Sequence, residues 1–311
     1  MAKILVTENI HEVGPELLRA AGHTVVFANR DLDVIKREIV DADAIIVRIY
    51  ELPGELLQLG KQLKHISKHG VGYDNIDLNY CKAHNIIVTI APGANSLSVA
   101  EHAFAMMNAL AKNLKLVSQA YQNIGFAAKN SKEGMELTGK TVGIIGFGRI
   151  GSRFAKLCHG AFDMKVLAYD PYVDAYPDYV TRVTNLDELF TQADVISLHP
   201  TLNPETRNMV DASRLAQMKP RALLINCARG PMVDNDALIE ALQKGAIAGA
   251  GLDVTVPEPL PTDSPLFTLP NAIVTPHYAP TTLESAMRTS QVASENTIAV
   301  LSGKEPVGRI V

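Results

Sequence analysis

Tryptophan is absent from the 311 residues, and cysteine occurs only three times, as Cys81, Cys158 and Cys227. An odd number of scattered thiols, far from any metal-ligand spacing, excludes a disulfide framework and a metal site, and reads as reduced thiols in a cytoplasmic protein. Basic tracts are missing as well: 29 Lys and Arg against 33 Asp and Glu leave a net charge of −4. That removes the electrostatic case for nucleic acid or an anionic membrane, since both need clustered cations to neutralise phosphates. Long apolar runs are lacking. The most apolar helical stretch, residues 99–117, is interrupted by Glu101, His102, Asn108, Lys112 and Lys115, so nothing reads as crossing a bilayer. Residues 1–6 enter a strand pattern directly, without the charged and apolar segments of a signal peptide. Short repeats, low-complexity tracts and heptads are also missing.

What is present matches a soluble globular protein, with 47% apolar and 20% charged residues. At roughly 150 residues per domain the length suggests about two domains. A chain of this size buries about three quarters of its unfolded surface and needs no metal or disulfide staple.

Two α/β runs follow one another. In the first, residues 4–6, 24–27, 44–47 and 86–88 are short, rich in β-branched residues and bounded by Gly, Asp or Asn, as strands are. Amphipathic stretches at 14–21 and 32–40 alternate with them. The rhythm predicts a parallel sheet with helices on both faces. Ala91-Pro92-Gly93 breaks it, and a longer helix is expected from Ser98, with Ser98 as N-cap and Glu101 completing a capping box. The second run opens at Thr141 after a polar stretch, 129–140. Its expected strands are 142–145, 165–169, 195–198, 223–226, 249–252 and 273–274, with helices such as 150–158 and 237–244 between them. A final helix, about 282–301, has no strand after it and is expected to fold back on the first domain. The fold class is α/β, with two doubly wound parallel sheets of the Rossmann or flavodoxin-like kind.

The strand 142–145 runs into Gly146-Phe147-Gly148-Arg149-Ile150-Gly151. G-x-G-x-x-G is common by chance, so context decides: a strand precedes, a helix starts inside the motif, and the next strand ends at Asp170. Gly146 permits the tight turn, Gly148 lets a pyrophosphate approach the backbone, and Gly151 lets the helix pack on the strand. The helix N-terminus then faces the phosphates. Asp170 would accept from the ribose hydroxyls and repel a 2′-phosphate, and Pro171 and Tyr172 supply no cation, so NAD is expected rather than NADP.

Three later strands end in reactive groups: Arg229 beyond 223–226, Glu258 beyond 249–252 and Asp253, and His277 after Pro276 beyond 273–274. Ligands of open parallel sheets gather at the carboxyl ends of strands, so these three can share one site. Reducing a ketone with hydride puts negative charge on oxygen, which calls for a proton donor near neutral pH and a fixed cation. Imidazole suits the first role, with a carboxylate on its far nitrogen to orient it, and a guanidinium suits the second.

With these residues in place, the chain resembles the NAD-dependent D-2-hydroxyacid dehydrogenases, which include phosphoglycerate dehydrogenases and glyoxylate/hydroxypyruvate reductases. The likeness covers His69-Gly70-Val71-Gly72-Tyr73-Asp74-Asn75-Ile76-Asp77 and Ser98-Val99-Ala100-Glu101-His102. It continues through the glycine motif, His199-Pro200, Asn226-Cys227-Ala228-Arg229-Gly230, Glu258-Pro259 and Pro276-His277.

The resemblance implies a substrate domain of residues 1–100 plus 285–311, a Rossmann NAD-binding domain of 101–284 inserted between, and a cleft that closes. It implies a homodimer built around the helix after Ser98 and the arm before Thr141. It also implies Arg229 on the 2-oxo acid, His277 as acid/base, Glu258 behind it, and the Val71 and Gly72 amides holding the substrate carboxylate. His199, Pro200, Thr201, Thr206, Cys227, Ala228 and Asp253 match cofactor-lining positions. Formate dehydrogenases of this fold carry Gln where Glu258 stands, which disfavours formate. Tyr278-Ala279-Pro280 departs from the commoner glycine-containing run after the histidine.

For substrate choice, Arg48, Lys64, His65, Lys68 and His69 offer positive charge to a second anionic group, although Lys64 and Lys68 read more simply as a solvated strand face. The end at Val311 leaves no room for the regulatory domain of longer phosphoglycerate dehydrogenases. The partner expected is a small 2-oxo or 2-hydroxy acid. The competing reading is an NAD(H)-sensing, corepressor-like binding protein on the same scaffold.

Overall fold

Short β-branched runs do form parallel strands, gathered into two sheets. The computed structural model describes all 311 residues. Contacts divide them into two units, Met1–Asn95 with Pro280–Val311, and Ser96–Ala279.

In the first unit, β1 (Lys3–Val6), β2 (Thr24–Phe27), β3 (Ala44–Val47), β4 (His65–Lys68) and β5 (Ile87–Thr89) lie in the order β2-β1-β3-β4-β5. Every pairing is parallel. This is the flavodoxin-like order. The last helix, Leu283–Leu301, starts at Thr282, whose side chain accepts from Ser285 N–H. It belongs to this unit, with Ser290 Oγ donating to the His11 carbonyl at 2.6 Å and Arg288 Nε to the Ala94 carbonyl at 2.9 Å.

In the second unit, β6 (Thr141–Ile145), β7 (Lys165–Tyr169), β8 (Val180–Arg182), β9 (Val195–Leu198), β10 (Leu223–Asn226), β11 (Gly249–Leu252) and β12 (Ala272–Val274) lie in the order β12-β11-β10-β9-β6-β7-β8. The chain reverses direction across the sheet between β6 and β9, which is where a doubly wound sheet opens a ligand crevice. Both faces are covered: Leu189, Phe190 and Leu238 fill one side, and Met106, Met107 and Phe154 the other.

Several expectations need correction. β4 is a strand the sequence pattern does not predict, because His65, Ser67 and Lys68 make it look polar. All three are buried in the sheet interior, and each finds a partner. His65 Nε2 meets Thr89 Oγ1 at 2.9 Å, Ser67 Oγ donates to the Ala293 carbonyl at 2.9 Å, and Lys68 Nζ donates to Asn75 Oδ1 at 2.5 Å and to the Arg48 carbonyl. Lys68 is therefore no solvated strand residue, whereas Lys64 is exposed beside Asp43. Burial pushes His65 down to about 3, and burial with the charges of Arg48 and Lys68 pushes His69 down to about 4. Neither histidine supplies positive charge at neutral pH.

Ser98 is not an N-cap. The turn through 92–95 delivers the chain into the helix Ser96–Ala111 earlier, and Ser98 lies buried in its first turn. Nor does that helix continue to 117: it ends at Ala111, and Asn113, at φ 50°, precedes a separate helix, Leu114–Ile124. Asn tolerates this left-handed conformation better than most residues.

Candidate active site

The phosphate-binding turn is built by close approach. Gly146 has φ 87°, and a Cβ there would lie 2.5 Å from Pro200 N and 2.6 Å from His199 C. Only glycine fits between the end of β6 and the end of β9. Gly151 likewise has no room for a side chain against the Gly146 carbonyl. Gly148 differs: it has nothing within 4 Å of a built Cβ, so its face is open. The helix Arg149–Phe162 starts there, with exposed Arg149 and half-buried Ile150 in its first turn. Asp170, at the end of β7, accepts from Phe147 N–H at 2.7 Å and Tyr172 N–H at 2.9 Å, so its carboxylate is held beside the turn. Pro171 is exposed next to it. A narrow glycine turn, an open face at a helix N-terminus and a fixed carboxylate one strand away fit a dinucleotide.

The remaining cofactor candidates stand at the neighbouring strand ends, though several spend their side chains on the protein. The buried ring of His199 meets Ser197 Oγ at 2.9 Å and packs on Phe154, leaving Nδ1 without a partner. Burial holds it neutral, down at about 3. Pro200 and Thr201 follow, and Thr206 Oγ1 donates to the Thr201 carbonyl at 2.8 Å to close their turn. Cys227 and Ala228 are buried beyond β10, and burial with nearby Asp253 raises the Cys227 thiol well above its usual value.

Arg229, Glu258 and His277 come together within the second unit. His277 Nδ1 lies 2.7 Å from Glu258 Oε1. With a carboxylate accepting at Nδ1, the Nδ1 proton is fixed and Nε2 is left for chemistry. Burial pushes the Glu258 carboxyl up, but the hydrogen bond and charge of His277, a backbone bond at Thr255 and the charge of Arg229 outweigh it, so the net direction is down. Arg229 stands on a loop fixed by Asn226, whose Nδ2 donates to the Arg229 carbonyl at 2.9 Å and whose Oδ1 accepts from Ala228 N–H at 3.0 Å. Gly230 lets the Thr255 backbone close on that loop, with a built Cβ only 2.9 Å from Thr255 Cα. The outer side of the Glu258 loop carries a cavity of about 450 Å³ lined by Ile239, Pro257 and Leu260. Asp236, Glu240 and Asp263 rim it, so it repels anions and is not the substrate site.

In the first unit, Arg48 follows β3 and Val71 and Gly72 follow β4, at the carboxyl edge of adjacent strands. Lys68 ties the two segments through the Arg48 carbonyl and Asn75. Glu8 Oε2 accepts from the amides of Arg48, Ile49 and Tyr50 at 2.8, 2.8 and 3.2 Å.

Residues 104–279, including the glycine turn and all three reactive groups, match the family described as D-isomer specific 2-hydroxyacid dehydrogenase, NAD binding domain. The chain belongs to this family. It is 39% identical over 308 residues to a D-3-phosphoglycerate dehydrogenase of Methanocaldococcus jannaschii, covering 98% of this chain but only 58% of that one. A glyoxylate reductase of Thermofilum pendens is 36% identical, with 98% of this chain and 93% of that one covered. The structure of a D-lactate dehydrogenase from Aquifex aeolicus, complexed with NAD and lactic acid, superposes with a TM-score of 0.85 at 37% identity over 96% of each chain. The chain thus spans little more than half the length of the phosphoglycerate dehydrogenase it matches. No helix is long and apolar enough to cross a membrane.

Asn226, Thr275 and His102 were given no role from the sequence. Asn226 and His102 lie inside the motifs that carry the family likeness, but a motif gives no hint of which partners a polar side chain meets.

Proposed function

We propose that this member of the family catalyses reversible hydride transfer between NAD(H) and a small D-2-hydroxy/2-oxo acid pair. The observation that carries the reading is the 2.7 Å contact of His277 Nδ1 with Glu258, close to Arg229 and in the unit that holds the glycine turn. Gly146, Gly148 and Gly151 with Asp170 hold the dinucleotide, which supplies or accepts the hydride when bound. Asp170 favours NAD over NADP by occupying the place a 2′-phosphate would need.

In the reducing direction, Arg229 binds the 2-oxo acid and stabilises charge on its carbonyl oxygen. His277 gives its Nε2 proton to that oxygen as the carbonyl carbon gains hydride, which leaves a 2-hydroxy acid and a neutral imidazole. In the oxidising direction the imidazole takes the same proton back. Glu258 orients the ring and balances its charge when protonated. The Val71 and Gly72 amides and Arg48 are the anion-holding groups of the first unit. Of the five basic residues weighed for a second anionic group, His65 and His69 are neutral, Lys68 is bonded internally and Lys64 pairs with Asp43, which leaves Arg48.

A second copy of the chain covers the helix Leu114–Ile124 and the turn Gly125–Asn130. That helix has no buried residue, while Leu114, Tyr121, Ile124 and Phe126 are 57, 62, 57 and 76% exposed. An apolar face of this kind marks an interaction site. A reducing compartment suits the three buried, unbridged thiols.

The test is NADH consumption with glyoxylate, hydroxypyruvate, pyruvate and phosphohydroxypyruvate, followed by absorbance because tryptophan quenching is not available. Turnover of one or more acids is expected, with NADPH at least about tenfold poorer. NADH binding without turnover of any acid would favour a dinucleotide-sensing protein instead.

A further inference from the structure

We infer that His102 and Thr275 are positioning residues for His277, acting through the buried carboxylate of Asp253; the inference rests on the acid/base reading above. His277 adopts φ 53°, a left-handed conformation that a residue with a Cβ rarely takes and that its surroundings must enforce. Asp253 grips the chain on both sides of that residue. Its carbonyl accepts from His277 N–H at 2.8 Å. Its Oδ1 accepts from Tyr278 N–H at 2.7 Å and its Oδ2 from Ala279 N–H at 2.9 Å. Asp253 is itself anchored by donating its N–H to the Asn226 carbonyl at 2.9 Å, which links it to the Arg229 loop.

A carboxylate 1% exposed must be met by donors, and Thr275 Oγ1 is a third, 2.5 Å from Asp253 Oδ1. The threonine hydroxyl has a single proton. Spent on Asp253, it leaves Oγ1 only able to accept, and the group in reach is His102 Nε2 at 3.1 Å. His102 therefore carries its proton on Nε2, which also points toward Asp253 Oδ1 at 3.5 Å. The opposite arrangement would set threonine and carboxylate lone pairs against each other at 2.5 Å. His102 rises from the helix Ser96–Ala111, which is locked by buried Ala103, Met106 and Met107. Direction thus passes from a rigid helix through His102, Thr275 and Asp253 to the backbone that aims His277.

The experiment uses the full chain and compares Thr275→Val and His102→Leu with Thr275→Ser and His102→Gln. The first pair is expected to lose about tenfold or more in kcat, with KM for NADH unchanged, and to raise deuterium uptake in the peptide spanning Tyr278 and Ala279 before any cofactor is added. The second pair keeps a hydroxyl or an N–H in place and is expected within about threefold of the parent. Folded Val and Leu variants with parental kcat and parental exchange overturn the inference, as do Ser and Gln variants no better than Val and Leu. Should an apolar variant fail to fold, Thr275→Ser decides alone: parental kcat supports the inference and a tenfold loss overturns it. His277→Ala is assayed alongside. If it remains active, the acid/base reading itself is wrong; if it is inactive while Thr275→Val is unaffected, only the positioning role falls.

Discussion

Two glycines of one turn should respond to the same substitution in different ways. In Gly146→Ala, the new Cβ meets Pro200 N at 2.5 Å, His199 C at 2.6 Å and Pro200 Cα at 2.8 Å. Carbon contacts settle near 3.5–4.0 Å, so β6 and β9 must part by about 1 Å, and both are central strands with little freedom to move. Overpacking of this kind costs about 1–3 kcal/mol, and φ 87° adds about 1 kcal/mol more for a residue with a Cβ. Stability should therefore fall by about 2–4 kcal/mol, and NADH affinity with it, because the backbone donors of the turn shift. Gly148→Ala meets nothing within 4 Å. Its apo stability should stay within about 0.5 kcal/mol of the parent, while NADH binding weakens at least about tenfold, since the methyl occupies the face the pyrophosphate approaches. Urea unfolding of the apo protein and NADH titration by calorimetry measure both quantities. A Gly148→Ala variant that binds NADH as the parent does would refute the assignment of that open face, and an undiminished Gly146→Ala stability would refute the close-packing argument.

Other outcomes follow from the same contacts. Glu258 sits below the usual 4.5 in the folded protein, so its contribution to stability is present above that pH and is lost as pH falls through its lowered value. The melting temperature of Glu258→Gln should lag the parent above about pH 4.5 and converge with it in more acid solution; a gap that widens on acidification would reverse the sign. Cys81 is pushed up to about 11 by burial and by Asp77, and all three cysteines are buried. A disulfide-exchange reagent should find less than about one thiol per native chain within minutes and all three after unfolding, and rapid native labelling would contradict this. Lys68→Met strands the Arg48 carbonyl and Asn75 Oδ1 inside the first unit. It should cost about 1–3 kcal/mol in urea unfolding, against none if Lys68 were solvated.

Hydrophobic runs made most strands readable, because a strand covered on both faces is continuous in Val, Ile and Leu. β4 is hidden because its polar residues find partners outside any strand or helix period: His65 at Thr89, Ser67 at Ala293, and Lys68 at Asn75 and the Arg48 carbonyl. The early start of the helix at Ser96 and the break at Asn113 were missed for the opposite reason. Both turn on local backbone geometry that a serine or asparagine permits without demanding.

The candidate site divides in the same way. Strand-end placement made Arg229, Glu258 and His277 visible together. The roles of Asn226, Asp253 and Thr275 depend on which of several possible donors and acceptors each one meets, which only the folded chain decides. Asp253 is the sharpest case: expected beside the cofactor, it has its carboxylate bonded to Thr275 and to the amides that follow His277.

The proposed chemistry turns above all on His277 as the proton donor and acceptor. Steady-state turnover of His277→Ala with the best 2-oxo acid, measured beside NADH affinity, tests it most directly. A fall in kcat of at least about 10²-fold with NADH affinity unchanged is the predicted result. Turnover equal to the parent's would contradict it.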